Sequence, residues 1–334
     1  MYFIVYSTVK IYICHVKTRI LLTIGDFNGI GPEIILKTLS KREILKKYDL
    51  TVVSPVSVLE FYSKQLGKKF FADDFNIIPI GYEKIKIQPS RISDEAGFVS
   101  GIAIVKAIEL CMDKDYDAVV TAPISKEALN KGGINYDGHT EMLRDFGKAK
   151  DVCMMMVSGK VKIALATTHP PIIKVSKLID RKLLLSKLNI CYRSLRHDFG
   201  LSSPKIGVLG LNPHAGDGGV IGKEEIEIIN PALKSANKRL GKNIFSGAFA
   251  ADAYFGTGIY RNYNLTFAMY HDQGLIPFKM IAGFSGINYT AGLKFVRTSP
   301  DHGTAFDIAG KNKANPESFI EAIKWADKIF KNKF

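Results

Sequence analysis

Three histidines in this 334-residue chain each follow a short apolar segment of the kind that forms a buried strand. They are His169 after KIALATT, His214 after GVLGLNP and His271 after LTFAMY. Neutral imidazoles are common ligands of divalent metals, and three of them leave coordination positions open for a substrate. Because the carboxyl ends of parallel strands meet at one edge of a sheet, the pattern predicts that these three histidines bind one divalent metal ion.

Two aspartates lie beside these histidines. Asp272 follows His271 directly, and Asp217 lies three residues after His214. A carboxylate that accepts a hydrogen bond from an imidazole fixes which ring nitrogen faces a metal. We therefore expect both aspartates to orient the histidines, although each also suits an ordinary turn.

Groups that suit an anion occur near the same predicted strand ends. In GHTEML, a threonine at the predicted helix start either caps the helix or contacts a phosphate. Taken one at a time, cationic side chains are typical of a solvated surface. Near a metal, they would bind phosphate or carboxylate. The candidates are His139, Thr140, Lys279, Asn288 and Arg297.

Two glycine-containing loops are candidates for cofactor contacts. GDFNGIGPE (25–33) separates a predicted strand from a predicted helix, but its glycines do not follow the G-x-G-x-x-G order, which argues against an ordinary Rossmann site. A tight strand-to-helix turn explains the glycines of this loop at least as well as contact with a cofactor does. In DHGTAFDIAG (301–310), the backbone of Gly303, Thr304 and Ala305 either approaches a dinucleotide or starts a helix.

Short apolar runs alternate with amphipathic segments along the chain. We predict strands at 19–25, 50–54, 117–123, 162–169, 204–214 and 264–272, and helices at 31–40, 97–113, 181–195 and 316–330. This alternation predicts an α/β protein with a mostly parallel sheet covered by helices. Domain boundaries fall at 132–140 and near residue 297.

Composition limits the class of protein. The chain is 46% apolar, which is enough for a large core and two domains, and it has no apolar run long enough for a membrane span. The net charge is +14, but the lysines are scattered, which favours a solvated surface over nucleic-acid binding. The four cysteines form no CxxC pair, which fits a reducing cytoplasm.

Taken together, these segments resemble the 4-hydroxythreonine-4-phosphate dehydrogenase family of pyridoxal phosphate biosynthesis. The similar runs, in family order from about residue 20 onward, are LLTIGDFNGIGPEI, TAPISKEAL, GHTEML, ATTHPP, LNPHAGDGG, ADAYF, MYHDQGLIPFK, INYTAGLKFVRTSPDHGTAFDIAG and NPESFIEAI. The departures are Phe27-Asn28 in place of a common Pro-Ala, Asp217 in place of Glu, and Asn312 in place of Gly.

The resemblance implies two α/β/α domains of the isocitrate and isopropylmalate dehydrogenase type, with the active site in the cleft between them. We assign residues 1–16 to a dispensable non-core leader, 17–135 plus 297–334 to the first domain, and 136–296 to the second. It also implies a homodimer with composite active sites, which mixing of His169 and His271 variants could detect. By motif, the three histidines would hold the metal, and His139, Thr140, Lys279, Asn288 and Arg297 would bind substrate.

The implied reaction is oxidation of 4-phosphooxy-L-threonine at C3 by NAD or NADP, followed by decarboxylation, with one zinc, magnesium or cobalt ion per site. Asp252, Asp272 and Lys126 are alternative general bases, and Asp252 is a further candidate for supporting the metal ligands. Two other functions remain open. One is a sister dehydrogenase of threonate or erythronate phosphate, and the other is a phosphate acyltransferase of related fold.

Overall fold

The computed structural model describes residues 17–67, 75–81, 85–136 and 138–333. The predicted leader, residues 1–16, lies outside this range, so its expected dispensability stays a prediction. Within the described residues the chain forms one 11-stranded sheet, and helices pack against it. No helix in this part of the chain combines the length and apolar character that crossing a bilayer requires.

The strands are short, and most are almost wholly buried. They are β1 (Arg19–Thr23), β2 (Asp49–Ser54), β3 (Asn76–Pro79), β4 (Ala118–Thr121), β5 (Cys153–Ser158), β6 (Val161–Leu165), β7 (Ile206–Leu209), β8 (Phe245–Phe249), β9 (Leu265–Ala268), β10 (Ile287–Ala291) and β11 (Val296–Pro300). Each predicted strand is present. Five of the six are shorter than predicted, because the polar residues at their ends belong to the following loops, whereas β2 is one residue longer.

The helices include all four that the sequence predicts. They are α1 (Gly31–Leu39), α2 (Arg42–Lys47), α3 (Val56–Gln65), α4 (Asp94–Met112), α5 (Lys126–Lys131), α6 (His139–Phe146), α7 (Ile172–Leu178), α8 (Arg181–His197), α9 (Asn230–Leu240), α10 (Ala251–Gly256), α11 (His271–Ala282) and α12 (Glu317–Lys333). A π-helical turn, Glu225–Ile229, leads directly into α9.

The sheet is parallel at both ends and antiparallel at its centre. Its strand order is β3-β2-β1-β4-β11-β10-β5-β6-β9-β7-β8. β10 runs antiparallel to both β11 and β5, and β5 runs antiparallel to β6, whereas the other neighbours are parallel. The predicted mostly parallel α/β sheet is therefore confirmed, with an antiparallel centre that the sequence pattern did not reveal.

The glycine-rich loop after β1 packs tightly against neighbouring backbone. Gly25 has φ +70°, and a Cβ there would lie 2.4 Å from the carbonyl oxygen of Pro123. The N–H of Ile30 donates to the carbonyl of Thr304 at 3.0 Å, which joins this loop to the 301–310 loop. Close backbone packing of this kind accounts for glycine here and favours the tight-turn interpretation.

Asp26 in this loop gives a testable pH dependence of stability. One oxygen, Oδ1, accepts from the N–H of Asn28 at 3.0 Å, whereas Oδ2 is buried without a partner. Burial raises the pKa of Asp26 to about 6. A carboxyl whose pKa is higher in the folded protein than in the unfolded one costs stability as the pH rises between those two values, here from about 4 to about 6.

We therefore expect Asp26→Asn to gain stability relative to wild type by about 2 kcal/mol between pH 4 and pH 7, since each pKa unit is about 1.4 kcal/mol and the aspartate of the unfolded chain is already about half ionised at pH 4. Urea unfolding followed by circular dichroism at both pH values measures the change. Asp115→Asn, at an exposed aspartate, is the matched control. A difference between Asp26→Asn and wild type that does not vary with pH would contradict the prediction.

Candidate active site

A cleft of about 450 Å³ opens at the centre of the sheet, where β4, β11, β10 and β5 lie side by side. We call it the central cleft. Ten of the residues that the sequence predicts for the site line it: Lys126, His139, Thr140, His169, His271, Asp272, Lys279, Asn288, Arg297 and Gly303. The fold thus brings together segments that are up to 177 positions apart in the sequence (126 to 303).

Arg297 projects from β11 and is 1% exposed. Its Nη2 and Nε donate to Thr121 Oγ1 at 2.7 and 3.2 Å, and its Nη1 donates to Thr290 Oγ1 at 3.0 Å. Within the described residues, no carboxylate forms an ion pair with it, and burial lowers its pKa to about 9. A buried cation without a counter-ion is costly, so this position is suited to receive an anion.

His139 and Thr140 lie in the first turn of α6. The helix begins at His139 with Gly138 as its N-cap residue, so the alternative in which Thr140 caps the helix is wrong. Burial, together with the positive charge of Arg297, holds the pKa of His139 well below its usual value. This histidine is therefore neutral at physiological pH, and it does not repel a cationic neighbour.

Three polar atoms around the central cleft are buried without a hydrogen-bond partner in the described protein. They are His139 Nε2, Asn288 Oδ1 and His302 Nε2. Buried polar atoms in proteins are nearly always paired, so unpaired ones in a cleft mark positions where a ligand would complete the hydrogen bonding. Lys279 Nζ also borders the cleft and donates weakly to the Asp301 carbonyl at 3.4 Å.

His169 and His271 lie side by side in the central cleft. Their ring centroids are 5.8 Å apart, and the rings are tilted by 42°. His271 Nδ1 donates to Asp272 Oδ1 at 2.7 Å, which leaves Nε2 of that ring for another partner. Two adjacent imidazoles, one of them oriented by a carboxylate, fit part of the ligand set of a divalent metal.

His214 does not join this pair within one chain. β6, β9 and β7 are parallel neighbours, so the three histidines do follow strand ends at one edge of the sheet. However, residues 214–218 all have positive φ, from 43° to 82°, and this left-handed segment places an exposed His214 outside the central cleft. Among the described residues, no three His, Cys, Asp or Glu side chains are arranged to hold a metal.

The two other predicted acidic residues also lie outside the central cleft. Asp217 is exposed within the left-handed segment and forms no hydrogen bond with His214. Asp252 is exposed on α10. Of the three aspartates expected to support the metal ligands, only Asp272 contacts a histidine in this chain.

The predicted cofactor residues lie in a non-helical loop. Gly303 borders the central cleft, and nothing lies within 4 Å of the position of a Cβ there. Thr304 packs on the glycine-rich loop, and Ala305 has a left-handed φ of 42°. The following helix, α12, begins only at Glu317, so the alternative in which these residues start a helix is wrong. Asn312 has φ +57°, a conformation that asparagine tolerates in place of glycine.

Several residues of the central cleft were not among the predicted site residues. Thr121 and Thr290 orient Arg297, and the polar TAP sequence after a predicted strand was the available signal for Thr121. Met154 and Met156 border the cleft from β5, a strand that was not among the predicted strands. For His302, the only signal in the sequence was its position in the polar loop 301–310.

The family model for pyridoxal phosphate biosynthetic protein PdxA matches residues 34–326. 4-Hydroxythreonine-4-phosphate dehydrogenase of Prosthecochloris aestuarii is 46% identical, over 93% of this chain and 97% of that protein. D-threonate 4-phosphate dehydrogenase of Pectobacterium atrosepticum is 36% identical, over 92% of this chain and 98% of that protein.

Solved structures of the same family and of a related dehydrogenase have a similar fold. 4-Hydroxythreonine-4-phosphate dehydrogenase from Klebsiella pneumoniae is 33% identical and superposes with a TM-score of 0.82, covering 94% of this chain and all of that one. A β-decarboxylating dehydrogenase from Thermococcus kodakarensis, 14% identical over 93% of this chain and 83% of that one, shares the fold with a TM-score of 0.50. The predicted fold class is confirmed, and this chain belongs to the family of pyridoxal phosphate biosynthetic protein PdxA.

Proposed function

We propose that this chain oxidises 4-phosphooxy-L-threonine at C3 with NAD or NADP, and that decarboxylation then gives 3-amino-2-oxopropyl phosphate in pyridoxal 5'-phosphate biosynthesis. The observation that carries the proposal is the buried Arg297 guanidinium, which has no counter-ion among the described residues and lies in the cleft with polar atoms that are unpaired there. The names of relatives up to 46% identical support the substrate and the reaction.

The substrate would be held by its charged groups. Arg297 offers a planar guanidinium that can bind a phosphate or carboxylate through two hydrogen bonds, and Lys279 adds a second cation at the opening. Neutral His139 and Asn288 supply directional hydrogen bonds from atoms that have no partner in the described protein. Fixing the substrate at several points would hold its C3–H near the oxidant.

His169 and His271 would hold a divalent metal, with His214 of a second copy as the third ligand. A metal at this place would acidify the substrate hydroxyl and stabilise negative charge during decarboxylation. Asp272 keeps the His271 ring in one orientation through its hydrogen bond to Nδ1. NAD or NADP would lie along the backbone of Gly303, where the space for a side chain is open.

An exposed apolar surface beside the central cleft supports the homodimer. Ile276, which borders the cleft, is more than half exposed, and Met280 and Phe284 farther along the same chain segment are 82% and 77% exposed. Val220, just after the left-handed segment, is 86% exposed. Apolar side chains of this size are usually covered, and a two-fold contact would bring His214 of one copy towards the cleft of the other.

The alternative substrate is a four-carbon phosphorylated hydroxy acid, because the relative from Pectobacterium atrosepticum carries the name D-threonate 4-phosphate dehydrogenase. The two substrates differ at C2, where one has an ammonium group and the other a hydroxyl. A phosphate acyltransferase is less well supported, because a phosphotransacetylase from Staphylococcus aureus is 12% identical and shares the fold alone.

Steady-state reduction of NAD, followed by absorbance, tests the proposal with each substrate in turn. We expect kcat/KM for 4-phosphooxy-L-threonine to exceed that for D-threonate 4-phosphate. The same assay with NADP ranks the two oxidants. A higher value for D-threonate 4-phosphate would establish the alternative substrate, and no reduction with either substrate would contradict a dehydrogenase of this class.

A further inference from the structure

Glu225 is a buried carboxylate at the base of the loop that carries His214. It is 2% exposed and begins the π-helical turn before α9. Its Oε1 accepts from the backbone N–H groups of Leu211 and Asn212 at 2.7 and 2.8 Å. Its Oε2 accepts from Asn212 Nδ2 at 2.9 Å. One carboxylate thus fixes the backbone immediately before the left-handed segment.

The same carboxylate also lies close to Gly216, in the middle of that segment. Gly216 is buried with φ +82°, and a Cβ there would lie 2.7 Å from Glu225 Oε2 and 2.6 Å from the Gly222 carbonyl. The N–H of Ile221 donates to the Gly216 carbonyl at 3.1 Å and closes the loop. Glu225 therefore binds the chain before His214 through hydrogen bonds and packs closely against Gly216 after it.

The left-handed segment requires this support, because its backbone conformation is unfavourable by itself. His214, Ala215 and Asp217 are all left-handed non-glycine residues. Each such residue costs on the order of 1 kcal/mol, so the conformation persists only where surrounding contacts impose it. Hydrogen bonds to a buried carboxylate are among the stronger ones available for that task.

We infer that Glu225 is a positioning residue that presents His214 as a metal ligand to the cleft of a second copy. The inference rests on the proposed function, since it takes His214 to be the third ligand. Glu225 does not touch the metal. It acts by keeping the exposed imidazole in one place, so that little conformational freedom is lost when the metal binds.

The first test compares Glu225→Gln with Glu227→Gln, which removes an exposed carboxylate from the same π-helical turn. Zinc affinity is measured by competition with a chromophoric chelator, with His214→Ala as the reference. We expect Glu225→Gln to weaken zinc binding about ten- to a hundredfold, as changes to residues that orient metal ligands do, and Glu227→Gln to leave it unchanged. Hydrogen exchange of the Leu211 and Asn212 amides should rise in Glu225→Gln alone.

The second test changes the loop without touching the carboxylate. Gly216→Ala places a methyl group against Glu225, whereas Gly218→Ala meets nothing within 4 Å at a similar φ of 65°. Both substitutions carry the backbone strain of a left-handed alanine, so the difference between them comes from the contacts of the new methyl group with Glu225 Oε2 and the Gly222 carbonyl. We expect weaker zinc binding in Gly216→Ala than in Gly218→Ala, even if Glu225→Gln fails to fold.

The outcomes separate the two proposals. If His214→Ala weakens zinc binding but Glu225→Gln and Gly216→Ala match their controls, Glu225 has no positioning role and the proposed metal site stands. If His214→Ala leaves zinc affinity unchanged, His214 is not a ligand and both proposals fail on this point. If Glu225→Gln and Gly216→Ala weaken zinc binding towards the level of His214→Ala, the positioning role is established.

Discussion

Mixing His169→Ala protein with His214→Ala protein should restore about one quarter of wild-type activity, because half of the randomly formed dimers are mixed and one of their two sites is intact. Each variant alone should be inactive and should lose metal in elemental analysis. The expectation follows from the separation of His169, in the central cleft, from His214, which is exposed outside it. Subunits are exchanged by joint refolding before the assay.

The matched control is the mixture of His169→Ala with His271→Ala. These two rings lie 5.8 Å apart in one chain, so a mixed dimer contains no intact site and activity should not return. The structure thus shows that the pairing of His169 with His271 variants, which the resemblance first suggested, cannot detect composite sites. Equal recovery in both mixtures, or full activity of an isolated monomer, would contradict the proposed arrangement.

Arg297→Lys should lower kcat/KM by about 1–3 kcal/mol, roughly five- to 150-fold, mainly through a higher KM. A lysine keeps the charge but has no planar fork, so it cannot keep the hydrogen bonds to Thr121 and Thr290 and bind an anion as well. Metal content and the affinity for NAD should stay close to wild type. Steady-state kinetics and elemental analysis measure these quantities.

Arg193→Lys makes the same chemical change at an exposed position on α8 and serves as the control. It should alter kcat/KM by less than the experimental error. If Arg297→Lys were equally silent, Arg297 would not contact the substrate. The unpaired charge would then need a structural explanation, and the case for a doubly anionic substrate would lose its main support.

Features that depend on residues close together in the chain could be predicted from the sequence alone. Apolar runs and amphipathic periods predicted the α/β class, and polar residues after strands predicted which sheet edge carries the site. The left-handed conformation of Asn312 was also readable, because asparagine is one of few residues that tolerate it. Motifs spread along the chain predicted the family before any contact was known.

Contacts between distant segments could be known only from the folded chain. In the part of the chain that the structure describes, Arg297 has no counter-ion, because its neighbours on β4 and β10 are threonines. No local sequence pattern encodes the strand order that brings them together. Cys153 and Cys191, far apart in the sequence, have sulfur atoms 3.6 Å apart for the same reason. The antiparallel pairing of β5 and β10 likewise depends on contacts between residues more than 100 positions apart.

His214 shows most clearly how far the position of a site residue can be predicted from strand patterns in the sequence. Its place after a strand predicted the correct edge of the sheet. However, His214 begins the left-handed segment 214–218, which packs against the buried Glu225, and this segment separates it from His169 and His271. Strand periodicity predicts the direction of a strand and where it ends. The conformation of residues 214–218 depends instead on the hydrogen-bonded carboxylate of Glu225, eleven positions after His214, which only the folded chain brings into contact.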